Sequence, residues 1–287
     1  MVDLHSHTQA SDGTCTPAQL VERAARAHLE ALAITDHDTV DGLPEGMAAG
    51  ARLGVRIIPG VELSATAQRE IHILGLGIDP EAPELKAALE AFKDQRRQRT
   101  PVILENLSRA GMPLPLEAVQ AFAKGDILSR SHIAQAMVRA GYVASIAEAF
   151  SKYLAIGKPC YVPRPKMTCA QAIGLIRGAG GLAVLAHPYQ MELSMPLMTS
   201  LIAEMQREGL AGIEAYYWSH TQQQCRALRA LAQRMGLLVT GGSDFHGENR
   251  PDVQLGDGGR YWAEQWADVA RLEDAMRAAQ LNKHIEV

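Results

Sequence analysis

Six of the ten histidines, His5, His7, His37, His72, His187 and His246, fall just after a short apolar run or at its end. Carboxylates occupy the same kind of position: Asp12, Asp36, Asp38, Glu62 and Asp244. Polar groups beside a core are costly unless they are paired or metal-bound. Imidazole and carboxylate together suit zinc, manganese or iron. The four cysteines, Cys15, Cys160, Cys169 and Cys225, lie apart from these positions and form no CxxC pair, which argues against a structural zinc knot or a disulfide scaffold. Nine side chains are candidate metal ligands: His5, His7, Asp12, His37, Glu62, His72, His187, Asp244 and His246. That exceeds what one tetrahedral ion can use and suits two or three divalent ions sharing a carboxylate. Such clusters orient a phosphoryl group, generate hydroxide from water near neutral pH and absorb charge in the transition state. Glu62 is the expected bridge, because Pro59-Gly60 reads as a turn that sets its side chain at a strand tip. A turn or cap would explain one His-x-His pair, but not the repetition at five or six strand ends.

Short strands must position these residues. Apolar runs at 2–4, 32–34, 55–58 and 70–76 alternate with helical patterns at 18–27 and 43–53, the first helix opened by the Thr16-Pro17 cap signal. Residues 83–156 are patterned almost wholly as helix. A long amphipathic stretch at 85–108 carries Lys93, Asp94, Arg96, Arg97 and Arg99, and Pro113 and Pro115 end it. Short helices follow at 117–124, 130–140 and 145–153, and a proline-rich linker at 157–165. Alternation then resumes, with helices at 168–178, 196–208 and 221–235, a final one near 267–279, and strands at 182–186, 212–215 and 237–240. About seven strands in this order predict a mostly parallel α/β sheet or barrel, whose carboxyl ends are where sites assemble. The expected organisation is a barrel from residues 1–80 and 160–287, interrupted by an inserted helical domain at 81–159.

Composition narrows the function classes. The 287 residues are 47% hydrophobic and 21% charged, which excludes wholesale disorder. A formal charge of -4 excludes a basic body that wraps nucleic acid by bulk electrostatics. No run approaches the roughly 18 apolar residues of a spanning helix. The N-terminal segment lacks a basic and an apolar region of signal type, so the expected compartment is the cytoplasm.

The motifs resemble those of the PHP (polymerase and histidinol phosphatase) superfamily: DLHSHTQASDG at 3–13, ITDHDTVDG at 34–42, GVELSA at 60–65, His72, AHP at 186–188 and GGSDFHG at 241–247. The resemblance implies a distorted (β/α)7 barrel with a metal cluster at the carboxyl ends of its strands. Ser129-Arg130-Ser131-His132 and Gly157-Lys158-Pro159 look like the stand-alone branch of 3',5'-nucleoside bisphosphate phosphatases and 5'-to-3' exoribonucleases. By that resemblance His5, His7, Glu62 and Asp244 take one ion. His72 and His187 share Glu62 for a second, and Asp12, His37 and His246 take a third. The family often has His where this chain has Asp12, a harder ligand that favours manganese, then iron or zinc.

The expected reaction is removal of the 3'-phosphate of a nucleoside 3',5'-bisphosphate by metal-activated water, with His5, His7, Glu62, Asp244 and His246 as the catalytic set. Ser129, Arg130, His132, Lys158 and Tyr216 are the expected substrate contacts. Arg130 would anchor phosphate, with Lys158 and Arg164 carried over the site by the linker and a residue of Tyr216, Tyr217 or Trp218 stacking on a base. Asp36 and Asp38 read as supports for His37, Phe245 as a residue able to face the pocket, and His220 as a further pocket candidate, with His28 and His284 on the surface. The run from Lys93 to Arg99 reads as a wet helix face, its alternative a track for an RNA backbone. The alternative function is a 5'-to-3' exoribonuclease on short 5'-phosphorylated RNA, ahead of a histidinol-phosphate phosphatase. With the whole ligand set present, a non-catalytic metal or nucleotide sensor is disfavoured. The expected partners are a nucleotide substrate and short single-stranded RNA, with no membrane and no obligate protein partner, on a monomer.

Overall fold

The computed structural model describes residues 1–67, 70–123, 128–163, 167–257, 271–272 and 274–279. Several of its helices begin where the sequence supplies caps. Thr16 caps α1 (Pro17–Arg26) and Thr168 caps α7 (Cys169–Gly178). Thr221 caps α9 (Gln222–Met235). In each, the Thr side chain and a Gln three residues on satisfy each other's backbone N–H groups, a capping box. Between them run β1 (Val2–Asp3), β2 (Ala31–Ile34), α2 (Leu43–Leu53), β3 (Arg56–Thr66) and β4 (Glu70–Leu76). After the two-residue β5 (Met167–Thr168) and α7 come β6 (Leu182–Leu185), α8 (Met195–Arg207), β7 (Gly212–Tyr217) and, past α9, β8 (Leu238–Gly242).

The strands follow the order β1-β2-β3-β4-β6-β7-β8, with β5 attached to β3. The sheet bends round until its ends meet. Leu4 N donates to Gly241 O at 3.1 Å, Asp244 N to His5 O at 2.8 Å and His7 N to Phe245 O at 2.9 Å. Gly242 permits this approach, since a Cβ there would lie 2.3 Å from His5 Cβ and 2.6 Å from its amide nitrogen. Alternate residues point to opposite faces. Val2, Leu4, Ala31, Ala33, Ile58, Leu74, Leu76, Val184 and Leu272 form one cluster inside the barrel. Their neighbours Val61, Leu63, Ile73, Ala183, Leu185 and Ile213 pack outward with residues of α7, α8 and α9. The fold is an α/β near-barrel with extra helices beyond it.

Two strands differ from expectation. Pro59 and Gly60 make no turn, and β3 continues through Glu62 to Thr66. Its first half pairs with β2 and its second, from Gly60, with β4, so the strand stays hydrogen-bonded where Pro and Gly alone suggest a break. Glu62 therefore sits inside a strand, on the same face as Ile58, and not at a tip. β4 runs antiparallel to both β3 and β6, which interrupts the parallel order. Its beginning, carrying His72, lies beside Ser64 near the end of β3.

The helical segment comprises α3 (Pro83–Arg109), α4 (Leu116–Gln120), α5 (Arg130–Arg139), α6 (Ile146–Ala149) and a π turn at Phe150–Leu154. The first half of α3 buries Leu85, Leu89 and Phe92 against the barrel's outer cluster. Its second half joins Ile103 and Leu107 to Val119, Ile133, Met137 and Leu154 in a separate cluster. Of the final helix expected near 267–279, residues 271–272 and 274–279 are helical, and the remainder lies outside the described residues, as do His284 and Arg164. No helix among the described residues is long and apolar enough to cross a membrane.

Candidate metal centre

One carboxylate organises the mouth of the barrel. Glu62 Oε2 lies 3.4 Å from His5 Nε2, 3.2 Å from His7 Nε2 and 3.0 Å from His37 Nδ1. Its other oxygen lies 2.9 Å from His72 Nδ1 and 3.0 Å from His187 Nε2. Asp244 Oδ1 is 3.1 Å from His7 Nε2 and 3.4 Å from His5 Nε2, and Asp12 Oδ1 is 3.2 Å from His246 Nε2. The rings pack on each other, His7 with its centroid 4.1 Å from His246 and 4.5 Å from His37.

The protonation logic fits cations. His5 Nδ1 faces Glu214 Oε1 at 3.0 Å, so a proton held there on Nδ1 would leave Nε2 to ligate a cation. Nε2 faces His7 Nε2, 3.1 Å away, and two carboxylate oxygens. Ring nitrogens and carboxylate oxygens thus converge on one space, where a cation would take the place of the imidazole protons. Glu62 Oε2 and Asp12 Oδ1 are buried without a hydrogen bond. Three groups offer ligand atoms all within 4.8 Å of one another: His5, His7, Glu62 and Asp244; His7, Asp12, His37 and His246; and His37, Glu62 and His72. The residues fit divalent ions, and all nine expected ligands come together. The groupings overlap more than the expected sets, since His37 approaches Glu62 as well as Asp12.

Supporting groups hold this set. Asp36 accepts from Thr8 N, Thr8 Oγ1 and Ser11 Oγ at 2.6–2.7 Å. Asp38 accepts from Ser64 N at 2.9 Å and Ser64 Oγ at 3.1 Å, and pairs with Arg96 of α3. Asp38, His187 and Asp244 all take positive φ, at 52°, 29° and 53°. Backbone of this kind is costly for non-glycine residues and persists where surroundings over-determine it.

The sequence reading does not name Glu214 or Arg250, and names Tyr217 only as one of three candidates for base stacking. Glu214 is fully buried, holding His5 by one oxygen and the His187 amide by the other at 2.7 Å. Tyr217 donates its hydroxyl to Asp244 Oδ2 at 2.8 Å, and Arg250 pairs with the same oxygen. A bulge between Glu214 and Tyr216 explains why Glu214 and Tyr217 both reach the site. Strict alternation would send Tyr216 there, but the extra residue shifts the register. Tyr216 instead packs in the outer cluster under Arg229. An apolar run ending in two tyrosines carries no signal for a bulge.

A cavity covers the cluster. Asp12, His37 and His72 line it from the barrel, Arg96 and Arg99 from α3, and Ser129 and Arg130 from the start of α5. The charged run of α3 is therefore divided: Asp94 and Arg97 pair in solvent, while Lys93 pairs with Asp41 and Arg96 and Arg99 turn to the cavity. Ser129 caps α5 and exchanges bonds with His132, whose buried ring is committed to that cap and does not line the cavity. Lys158 is exposed and also away from it. Phe245 packs among Leu20, Leu32 and Leu43, not in the cavity, and His220 is buried with Nδ1 on Ala215 O at 3.0 Å. Trp218 is half-exposed, and His28 is exposed as expected.

With this geometry established, residues 3–158 match the PHP domain. The chain belongs to the PHP family. It is 38% identical over 275 residues to a 3',5'-nucleoside bisphosphate phosphatase of Chromobacterium violaceum, covering 95% of this chain and 92% of that one. It is 40% identical over 257 residues to the 5'-3' exoribonuclease Rnm of Escherichia coli, covering 88% and 87%. A solved structure from Bifidobacterium adolescentis, provisionally described as a metal-dependent phosphoesterase, superposes with a TM-score of 0.85 at 31% identity, covering 96% of each chain. This PHP protein is an enzyme, and its cluster serves metal-dependent hydrolysis of a phosphoester.

Proposed function

We propose that the enzyme removes the 3'-phosphate of nucleoside 3',5'-bisphosphates, releasing the 5'-nucleotide and phosphate. The observation that carries this reading is the two-sided cavity, with the histidine–carboxylate cluster on one wall and Arg99, Ser129 and Arg130 on the other. A ribose bearing phosphates at both ends presents an anion to each wall. Guanidinium suits bidentate phosphate binding. The likeness to the Chromobacterium phosphatase supports the same substrate class.

Bound divalent ions, manganese first and iron or zinc behind it, supply Lewis acidity that lowers the pKa of water and offsets charge on the phosphoryl oxygens. His5, His7, Glu62 and Asp244 would hold one ion, Asp12, His37 and His246 a second, and His72 and His187 a third shared through Glu62. Glu214 keeps the His5 proton on Nδ1, so that Nε2 remains a ligand atom. Arg130 orients the 5'-phosphate, and residues 81–159 act as the substrate-binding unit that roofs the cluster.

A second reading, 5'-to-3' cleavage of short 5'-phosphorylated RNA, has the same geometric support and the likeness to Rnm. Both reactions break the bond between the 3'-oxygen and phosphorus of a nucleotide anchored by its 5'-phosphate.

The test is a panel with Mn²⁺: adenosine 3',5'-bisphosphate, 5'-AMP, 3'-AMP, histidinol phosphate, and short RNAs with 5'-phosphate or 5'-hydroxyl. The bisphosphate should yield AMP and phosphate while 5'-AMP stays nearly intact. Turnover of histidinol phosphate with an inert bisphosphate would overturn the reading. Mononucleotides from 5'-phosphorylated RNA would add the second activity. Arg130→Ala should cost roughly 2–5 kcal/mol in transition-state binding of the bisphosphate if the contact is desolvated, and little for 3'-AMP. Equal loss on both would move Arg130 to the scissile phosphate.

A further inference from the structure

We infer that Tyr161 is a positioning residue that assembles Arg99 and Arg130 into a two-arginine subsite for a terminal phosphate. The inference rests on the proposed reading of the cavity and extends it to what makes the anchor selective. Tyr161 lies in the linker returning to the barrel. The Arg99 guanidinium carbon sits over its ring at 5.5 Å from the centroid and that of Arg130 at 5.6 Å. Both arginines line the cavity, although one comes from α3 and the other from the first turn of α5. Tyr161 is itself held: its amide donates to Lys158 O at 3.0 Å, and the preceding Cys160 is buried with its amide on Tyr153 O at 3.0 Å.

Arg130 has further supports on the protein side. It lies over the Phe150 ring at 5.6 Å and donates to Leu154 O at 3.2 Å, and its other terminal nitrogen is 3.7 Å from Glu70 Oε2. Two guanidinium groups repel each other, and the electron-rich ring offsets part of that cost. Their side-chain entropy is lost during folding and not on binding, which is preorganisation. A terminal phosphate, close to a dianion at neutral pH, matches two guanidiniums better than the single charge of an internal diester. Phosphate would take the place of Glu70 beside Arg130. The subsite thus selects a 5'-phosphorylated nucleotide or end over a 5'-hydroxyl one.

The manganese-loaded full chain is compared with its Tyr161→Leu, Tyr161→Phe and Arg99→Gln variants. Tyr161→Leu should raise KM for adenosine 3',5'-bisphosphate about tenfold, the scale of lost cation–π support, with kcat nearly unchanged. Tyr161→Phe keeps the ring and should restore the parent KM. Arg99→Gln should match Tyr161→Leu, and its thermal midpoint shows whether it is folded if Tyr161→Leu is not. Calorimetric binding of 5'-AMP should weaken with KM in both damaged variants while adenosine binding holds. Unchanged KM and 5'-AMP affinity in Arg99→Gln, or Tyr161→Phe as damaging as Tyr161→Leu, would overturn the inference. If the parent does not hydrolyse the bisphosphate, the substrate reading falls, and 5'-AMP binding still decides the subsite: weakening in Arg99→Gln supports it, and parental affinity overturns it.

Discussion

Glu62 presents one carboxylate to five imidazoles, three at one oxygen and two at the other. Removing its charge disturbs every grouping it joins, whereas Asp12 serves one side of the cluster. Glu62→Gln should therefore lose at least one more equivalent of metal per chain than Asp12→Asn. Elemental analysis after gel filtration measures this, and equal losses would contradict a bridging carboxylate. Glu214 tests the layer behind. It is buried and acts through His5 and the His187 amide. Glu214→Gln can satisfy His5 Nδ1 by its oxygen but removes the charge that makes the ring a stronger ligand. Metal affinity should fall about 10- to 100-fold, the usual range for such partners, by competition with a fluorescent chelator. An unchanged affinity would reduce Glu214 to packing.

At the scale of elements, α3 couples the helical segment to the metal-facing loops. Its Arg96 pairs with Asp38, which also binds Ser64 on β3 and directly follows His37. Side-chain exposure is 11% for Arg96 and 1% for Asp38, so the pair is largely shielded from water. Deleting one member of a buried pair strands the other charge. Arg96→Met should destabilise the chain by about 3 kcal/mol by urea denaturation, reduced to the extent that Ser64 still satisfies Asp38. Lys93→Met is the control from the same helix. Lys93 pairs with Asp41 and Glu90, whose side chains are more than half exposed, and its loss should cost about 1 kcal/mol or less. Similar costs for both would show that α3 is not anchored through Asp38.

For the whole molecule, protons and metal ions compete for the same atoms. In the metal-free chain, burial alone would lower His7, but the carboxylates of Asp244 and Glu62 beside it outweigh that and hold it at about 9. Burial likewise opposes His72, which Glu62 and Glu70 raise to about 10. Both values exceed the ordinary imidazole value of about 6.5. Their contribution to stability is therefore complete below about 6.5 and lost as pH rises through the folded values. Burial would raise Glu62, Asp244 and Asp12, and the surrounding histidines, with Arg250 at Asp244, outweigh it and lower all three. Their contribution is present above the ordinary carboxylate range and lost as pH falls through it toward the depressed folded values. Metal loading displaces the imidazole protons and tightens as pH rises. An ion at 100 times its Kd adds about 2.7 kcal/mol to folding stability. The gap in Tm between metal-loaded and chelator-treated protein should therefore widen from about pH 6.5 to about pH 9. A constant or narrowing gap would contradict protonated imidazoles in the metal-free site.

The sequence by itself determined which histidines and carboxylates gather at one end of the barrel and the order of the elements that carry them. Histidine and carboxylate at repeated strand ends have few uses besides metal binding, and capping and periodicity are local properties that a linear pattern records. The helices at 43–53 and 221–235 and the strand at 70–76 were legible for that reason. Tertiary structure decided what depends on contacts between distant segments. Pairing on both sides carried β3 through Pro59-Gly60. A bulge turned Tyr217 inward and Tyr216 outward. The fold brought Glu214 to His5 across 209 residues of chain and Tyr161 to two arginines on different helices. Such side chains carry no local signature, because their roles are set by the partner opposite them and not by their neighbours in sequence.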